Sequence, residues 1–211
     1  MTGRVGMRPR ASSAGRVILY ILFYMELCMG QFQVAVIVGS LRKASINRQL
    51  AQAIGKMGAE QVQFSIVEIG DLPLYNEEAD GHEVEAVKRF RAAVGMADGV
   101  LFVTPEYNRS MTGALKNALD QGSRPYGQSI WGGKPAAVIG ISPGAVGTAL
   151  SQQHLRSVLS HLNMPTLGQP EMFLQMREDF FAPDGSIGER SQAYVQKFID
   201  QFVLWIARNK A

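Results

Sequence analysis

The sequence predicts an α/β fold, a three-layer sandwich of helices around a parallel sheet. Three observations lead there. Residues 34–38, 100–103 and 136–141 are near-continuous apolar runs rich in valine and isoleucine, as in strands covered on both faces. Each run breaks into a loop of glycine, proline or hydroxyl-bearing residues. A stretch at helical spacing then follows each break, and strands alternating with helices imply parallel pairing.

In chain order, Val34, Ala35, Val36, Ile37 and Val38 form the first strand, which ends at Gly39. A helix is expected over about residues 47–56. Residues 62–69 alternate, and are β-branched enough, to form a second strand, closed by Asp71, Leu72 and Pro73. A polar segment, 76–82, leads into a helix with Val84, Val87, Phe90 or Arg91, and Val94 at helical spacing. Gly99 opens the third strand, 100–103, which Pro105 stops, and residues 113–121 read as a helix. The fourth strand, 136–141, precedes a helix over about 147–161, and a weaker fifth strand falls at 172–176. In the last helix Val195, Phe198, Ile199, Phe202, Val203 and Ile206 share a face, and Ser186 with Glu189 fits a capping box at its start.

Length and charge narrow the function. At 211 residues, 46% hydrophobic and 18% charged, the chain suits one soluble globular domain. The net charge of +3 arises in residues 1–28, which hold Arg4, Arg8, Arg10 and Arg16 against Glu26 alone. The remaining 183 residues carry 17 basic and 17 acidic side chains, so no nucleic-acid footprint is expected. Residues 17–24 are apolar but too few to span a bilayer, and no membrane association is expected. The stretch 1–28 reads as a leader or as an upstream extension of the reading frame. The extension is preferred, with Met29 as the start of a cytoplasmic domain over 29–211. Cys28 is the only cysteine, which leaves the domain without a disulfide or thiolate site.

In an open parallel sheet, ligands sit beyond the carboxyl ends of the strands at the point where strand order reverses. The loops after strands one, three and four should therefore converge. In the first, Gly39, Ser40, Leu41, Arg42, Lys43, Ala44, Ser45, Ile46 and Asn47 join a buried strand to a helix N-terminus, an arrangement suited to phosphate. It lacks the second Gly and Lys-Ser/Thr pair of a P-loop, and of G-x-G-x-x-G only Gly39 is present. Hydroxyls and an amide, with Arg42 and Lys43 adding charge, suit one terminal phosphate such as that of FMN in a flavodoxin-like fold. An ordinary strand–helix turn with a serine N-cap is the alternative.

The second loop reads Thr104, Pro105, Glu106, Tyr107, Asn108, Arg109, Ser110, and Leu115, Lys116, Asn117 and Ala118 lie in the helix after it. With these motifs and 39–47, the chain from residue 34 to the last helix resembles the NAD(P)H-dependent FMN reductase family, in particular its chromate and quinone reductase branch. The resemblance implies a flavodoxin-like sheet of order 2-1-3-4-5. It also implies an FMN phosphate held by Ser40, Arg42, Ser45, Ile46 and Asn47, with the flavin ring along Pro105, Glu106, Tyr107 and Asn108. NADH or NADPH would be the co-substrate, the flavin would carry the chemistry without a catalytic side chain, and the protein would be a homodimer or homotetramer. Arg109 and Arg124 are candidates for binding an anionic substrate, or for a surface or interface pair. Trp131, Phe180 and Phe181 fit a subunit boundary or a core equally well.

In the third loop, Gly140, Ser142 and Gly144 match the G-x-S-x-G nucleophile elbow. Pro143 has no N–H to donate to an oxyanion, and no acid separates Ser142 from His154 and His161, so a hydrolase is set aside. In a flavoprotein the same loop would close over the ring, with Ser142 and Gly144 in contact. His154 and His161 lack a third ligand, and no metal is expected. The expected function is therefore an FMN-dependent NAD(P)H oxidoreductase passing electrons to quinones, free flavin, azo compounds or chromate by a ping-pong route. The alternative is a flavodoxin-like electron carrier, although carriers of that kind are usually strongly acidic.

Overall fold

The computed structural model describes residues 31–58 and 62–210; the expectations for 1–28, including the leader and the start at Met29, lie outside them. Among the described residues, five strands form one parallel sheet in the order β2-β1-β3-β4-β5, the order implied by the resemblance. The strands are β1 (Phe32–Val38), β2 (Val62–Ile66), β3 (Gly99–Val103), β4 (Ala136–Ser142) and β5 (Met172–Gln175). Register follows from pairs such as Phe32 with Val62, Val34 with Gly99, Val100 with Ala136, and Ile139 with Met172. The helices are α1 (Ile46–Met57), α2 (Glu85–Gly95), α3 (Gly113–Ser123), α4 (Ala149–His161) and α5 (Glu189–Asn209), with a 3₁₀ turn at Glu77–Ala79.

Because side chains alternate along a strand, each central strand feeds two cores. Ala35, Ile37, Val100, Phe102, Ala136 and Val138 face Val87, Phe90 and Val94 of α2, Leu115 and Leu119 of α3, and Leu155 and Leu159 of α4. The alternate residues of β1, β3 and β4 are buried beneath α1 and α5. Trp131 is fully buried in the first core, its ring 6.0 Å from both Phe90 and Phe102, and its indole N–H donates to Leu119 O at 2.9 Å. Phe180 is buried too and meets Phe181 edge-on at 4.9 Å. For Trp131 and Phe180, then, core packing is the correct choice over an exposed boundary.

Two element boundaries depart from expectation. β2 leaves the ladder after Ile66 rather than Ile69, with Val67 N giving a last bond to Val36 O at 2.9 Å. α5 has no capping box: its N-cap is Gly188, and the backbone N–H and hydroxyl of Ser186 both bond Asp184 Oδ1. Gly188 instead bonds Phe180 O and lies so near Asp179 O that a Cβ there would stand 2.0 Å from it.

At the amino edge of the sheet, Asp98 gathers the start and end of the fold. Its Oδ2 accepts from Gln33 N at 2.8 Å, and its Oδ1 pairs with Lys210 Nζ at 2.7 Å. The Lys210 ammonium also stands 5.7 Å from the Phe32 ring centroid. No helix among the described residues is long and apolar enough to cross a membrane.

Candidate functional site

At the carboxyl edge, β1 turns at Gly39, whose N–H donates to Val103 O at 2.9 Å and so joins the ends of β1 and β3. A Cβ at Gly39 would stand 3.2 Å from Pro105 Cδ and 3.3 Å from Leu115 Cδ2, so a small residue lets the first and second loops meet. Ser45 is the N-cap of α1, accepting from Arg48 N at 3.2 Å. This leaves the N–H groups of Ile46 and Asn47 without a partner inside the helix, at its positive end. Ser40 and Ser45 are buried, while Leu41, Arg42 and Lys43 are exposed. Two hydroxyls, helix N–H groups and two exposed cations form a donor set that fits a phosphate monoester.

Beside this loop lies a cleft of about 310 Å³ walled by Ser40, Leu41, Arg42, Lys43, Arg48 and the chain from Ile66 to Gly70. Arg48 is paired there with Glu68. Arg42 and Lys43 are the wall's other cations.

Asn47 does less at the loop surface than its side chain implied. Its Nδ2 donates to Ile141 O at 2.9 Å and its Oδ1 accepts from Ile141 N at 3.1 Å. The amide is thus a clamp between α1 and the end of β4, with one N–H and its backbone N–H left for a ligand. Thr112, missed in the sequence, makes a second clamp. It is the N-cap of α3, accepting from Leu115 N, and its hydroxyl donates to Gly39 O at 2.6 Å. A threonine immediately before Gly113 was the available signal.

The second loop is rigid for identifiable reasons. Pro105 is buried, and Tyr107 and Ser110 exchange two backbone bonds of 3.0 Å around Asn108 and Arg109, at φ 50° and 66°. Such a left-handed pair closes a tight two-residue turn; asparagine tolerates it readily and arginine does not. The ring of Tyr107 is exposed. The Glu106 carboxylate turns away from the loop, with Oε2 accepting from Leu150 N at 3.0 Å and Ser151 N at 3.2 Å. Arg109 approaches its other oxygen at 3.5 Å.

In the third loop, the Ser142 hydroxyl donates to Gly144 O at 3.2 Å, and Pro143, Gly144 and Val146 are exposed. A Cβ on Gly144 would meet only Ser142 Oγ, at 3.8 Å, so open space lies above it.

The structure therefore brings Ser40, Arg42, Ser45, Ile46, Asn47, residues 105–109, Ser142 and Gly144 to one edge. Arg124 stands apart. It is the C-cap of α3, about 16 Å of helix from Gly113, and its guanidinium lies 5.8 Å from the Tyr75 ring centroid. It lines a wide cleft of about 730 Å³ with Tyr126, Lys116 and His161, a wall that includes no residue of the three loops. His154 bonds Ser110 Oγ through Nδ1 at 3.0 Å.

Comparison with known proteins agrees with this fold. A family described as NADPH-dependent FMN reductase matches residues 32–179. The chain is 47% identical over 175 residues to a 2-hydroxy-1,4-benzoquinone reductase of Burkholderia sp, covering 82% of this chain and 96% of that one. It is 47% identical over 181 residues to a quinone reductase of Pseudomonas putida, covering 85% and 97%. Among solved structures, a flavoenzyme NAD(P)H:(acceptor) oxidoreductase of Paracoccus denitrificans superposes with a TM-score of 0.83 at 43% identity, covering 85% of this chain and all of that one.

Proposed function

Because the chain belongs to the NADPH-dependent FMN reductase family, we propose that it transfers electrons from NADH or NADPH to small quinones in a ping-pong cycle at the carboxyl edge of its sheet. As a member it is an NAD(P)H-dependent, FMN-using oxidoreductase. Bound FMN supplies the hydride acceptor and electron relay, so the protein's work is binding and orientation.

In this reading Ser40, Ser45 and the N–H groups of Ile46 and Asn47 hold the phosphate, and Arg42 neutralises its charge. The backbone of Pro105, Glu106, Tyr107 and Asn108 faces the ring edge, and Tyr107 presents a ring for packing. Ser142 and Gly144 border the side left open for the nicotinamide. One substrate leaves before the next enters because both use that open ground. Arg109, exposed beside it, steers anionic substrates. Free flavin, azo compounds and chromate are further acceptors for the same exposed face.

The observation that carries this reading is the convergence of a hydroxyl-lined helix N-terminus and a rigid Pro-Glu-Tyr-Asn turn on one edge. We further propose that residues 29–211 form the functional domain, in the cytoplasm, and that residues 1–28 are a leader or an upstream extension. A homodimer or homotetramer would cover exposed apolar positions such as Leu74 and Tyr126.

Protein begun at Met29 should release FMN on denaturation. It should give parallel double-reciprocal lines when NAD(P)H and a benzoquinone are varied together. FMN-loaded protein that oxidises neither NADH nor NADPH with any quinone or ferricyanide would overturn the assignment.

A further inference from the structure

Helix α4 begins without a cap of its own. Its N-cap residue, Thr148, sits at φ 98° and makes no side-chain cap bond; its hydroxyl accepts from Gln152 Nε2 at 3.0 Å instead. The first N–H groups of a helix need acceptors, normally from a Ser, Thr, Asp or Asn at that position. Here the acceptor comes from 44 residues away: Glu106 Oε2 takes both Leu150 N and Ser151 N. These are the second and third residues of the helix, the ones an N-cap side chain would serve. A carboxylate at the positive end of a helix also gains from its dipole and from charge-assisted bonds. The Glu106 side chain is only 12% exposed, so water competes little for it.

The same first turns of α4 grip the second loop at two other points. Ser151 Oγ donates to Pro105 O at 2.9 Å and lies 3.0 Å from Thr104 Oγ1. Further along, His154 bonds Ser110. Between these anchors the chain passes through the left-handed pair Asn108 and Arg109. Such conformations persist only where the surroundings over-determine them. Thus the loop depends on α4 for its shape, and α4 depends on the loop's carboxylate for its cap.

We propose that Glu106 is a positioning residue: through the N-terminus of α4, its carboxylate holds residues 105–110 in the flavin-binding shape before flavin arrives. This rests on the reading of that loop as the flavin-ring side of the site. A loop populated in its competent shape only part of the time binds more weakly in proportion to that fraction.

The test compares E106A, E106Q and E106D with wild type. Three quantities are measured: FMN dissociation constants, amide exchange at Leu150 and Ser151 in flavin-free protein, and apoprotein melting. Loss of the cap in E106A should weaken FMN about tenfold and speed both amides, whereas E106Q, whose carbonyl can accept both N–H groups, should stay within about threefold of wild type. E106D, one methylene short, should fall between them. Should E106A fail to fold, the ordering of E106Q and E106D decides the matter.

The proposal is overturned if E106A melts earlier yet binds FMN like wild type. It is equally overturned if E106Q weakens binding as much as removal of the side chain. A wild-type protein that binds no FMN would instead sink the functional reading, and the two amides would still report on the cap.

Discussion

Replacing Asn47 by leucine would strip two buried backbone groups at once, since the Ile141 N–H and C=O both bond its amide. An orphaned buried polar group costs about 1–3 kcal/mol, so Asn47→Leu should lose about 2–4 kcal/mol in urea unfolding and loosen FMN as well. A loss under about 1 kcal/mol would mean that the clamp is weak. Arg42→Ala should behave in the opposite way. As an exposed side chain it should change stability by less than about 0.5 kcal/mol, while FMN affinity falls and becomes less sensitive to salt. Titrations at two ionic strengths check this. The contrast also explains what could be read from residue types alone. The serines and the N-terminus of α1 advertise themselves locally. The tasks of Asn47 and Glu106 do not, because their partners lie 94 and 44 residues along the chain.

Among the elements, α3 and the segment after it depend on an exchange of volume. A Cβ on Gly122 would stand 2.4 Å from Trp131 Cζ2. Trp131→Ala should cost about 3–5 kcal/mol from lost packing, and Gly122→Ala about 1–3 kcal/mol from overlap. In the double variant the added methyl meets no ring, so the combined loss should fall short of the sum, as denaturant titration of all four proteins can show. The central strands were readable because burial on both faces leaves an apolar run with few alternatives. The start of α5 was not, because Asp184 competes for Ser186 within its own turn and a serine–glutamate spacing cannot reveal that. Trp131 was ambiguous for a related reason: a large indole suits a core or an interface, and only the space beside Gly122 decides.

Over the whole molecule, acid should act through carboxylates at its surface. The Arg89 guanidinium holds Asp71 below its ordinary range, its own and Gly81's backbone N–H groups do so for Glu83, and Ser186 does so for Asp184. For a carboxylate whose folded pKa is depressed, the stabilisation is complete above the unfolded value. It is lost as pH falls through the folded one. These groups therefore predict a melting temperature flat from about pH 5 to 7 that declines below about pH 4, and the exposure of Asp71 and Asp184, with Glu83 only half-buried, predicts a shallow decline. A melting temperature rising on acidification would contradict them. Sheet order and both layers of helices followed from alternation and the motif resemblance, since a parallel sheet admits few connections.

Asp98 has an engineering consequence. By holding Gln33 and Lys210 together, it places the last described residue of the chain beside the first strand, at the rim opposite the loops. Purification tags or reporter domains joined after α5 therefore leave the molecule on its far side. Such fusions should retain NAD(P)H oxidation rates. A circular permutant joining Lys210 to Phe32 would need only a short linker.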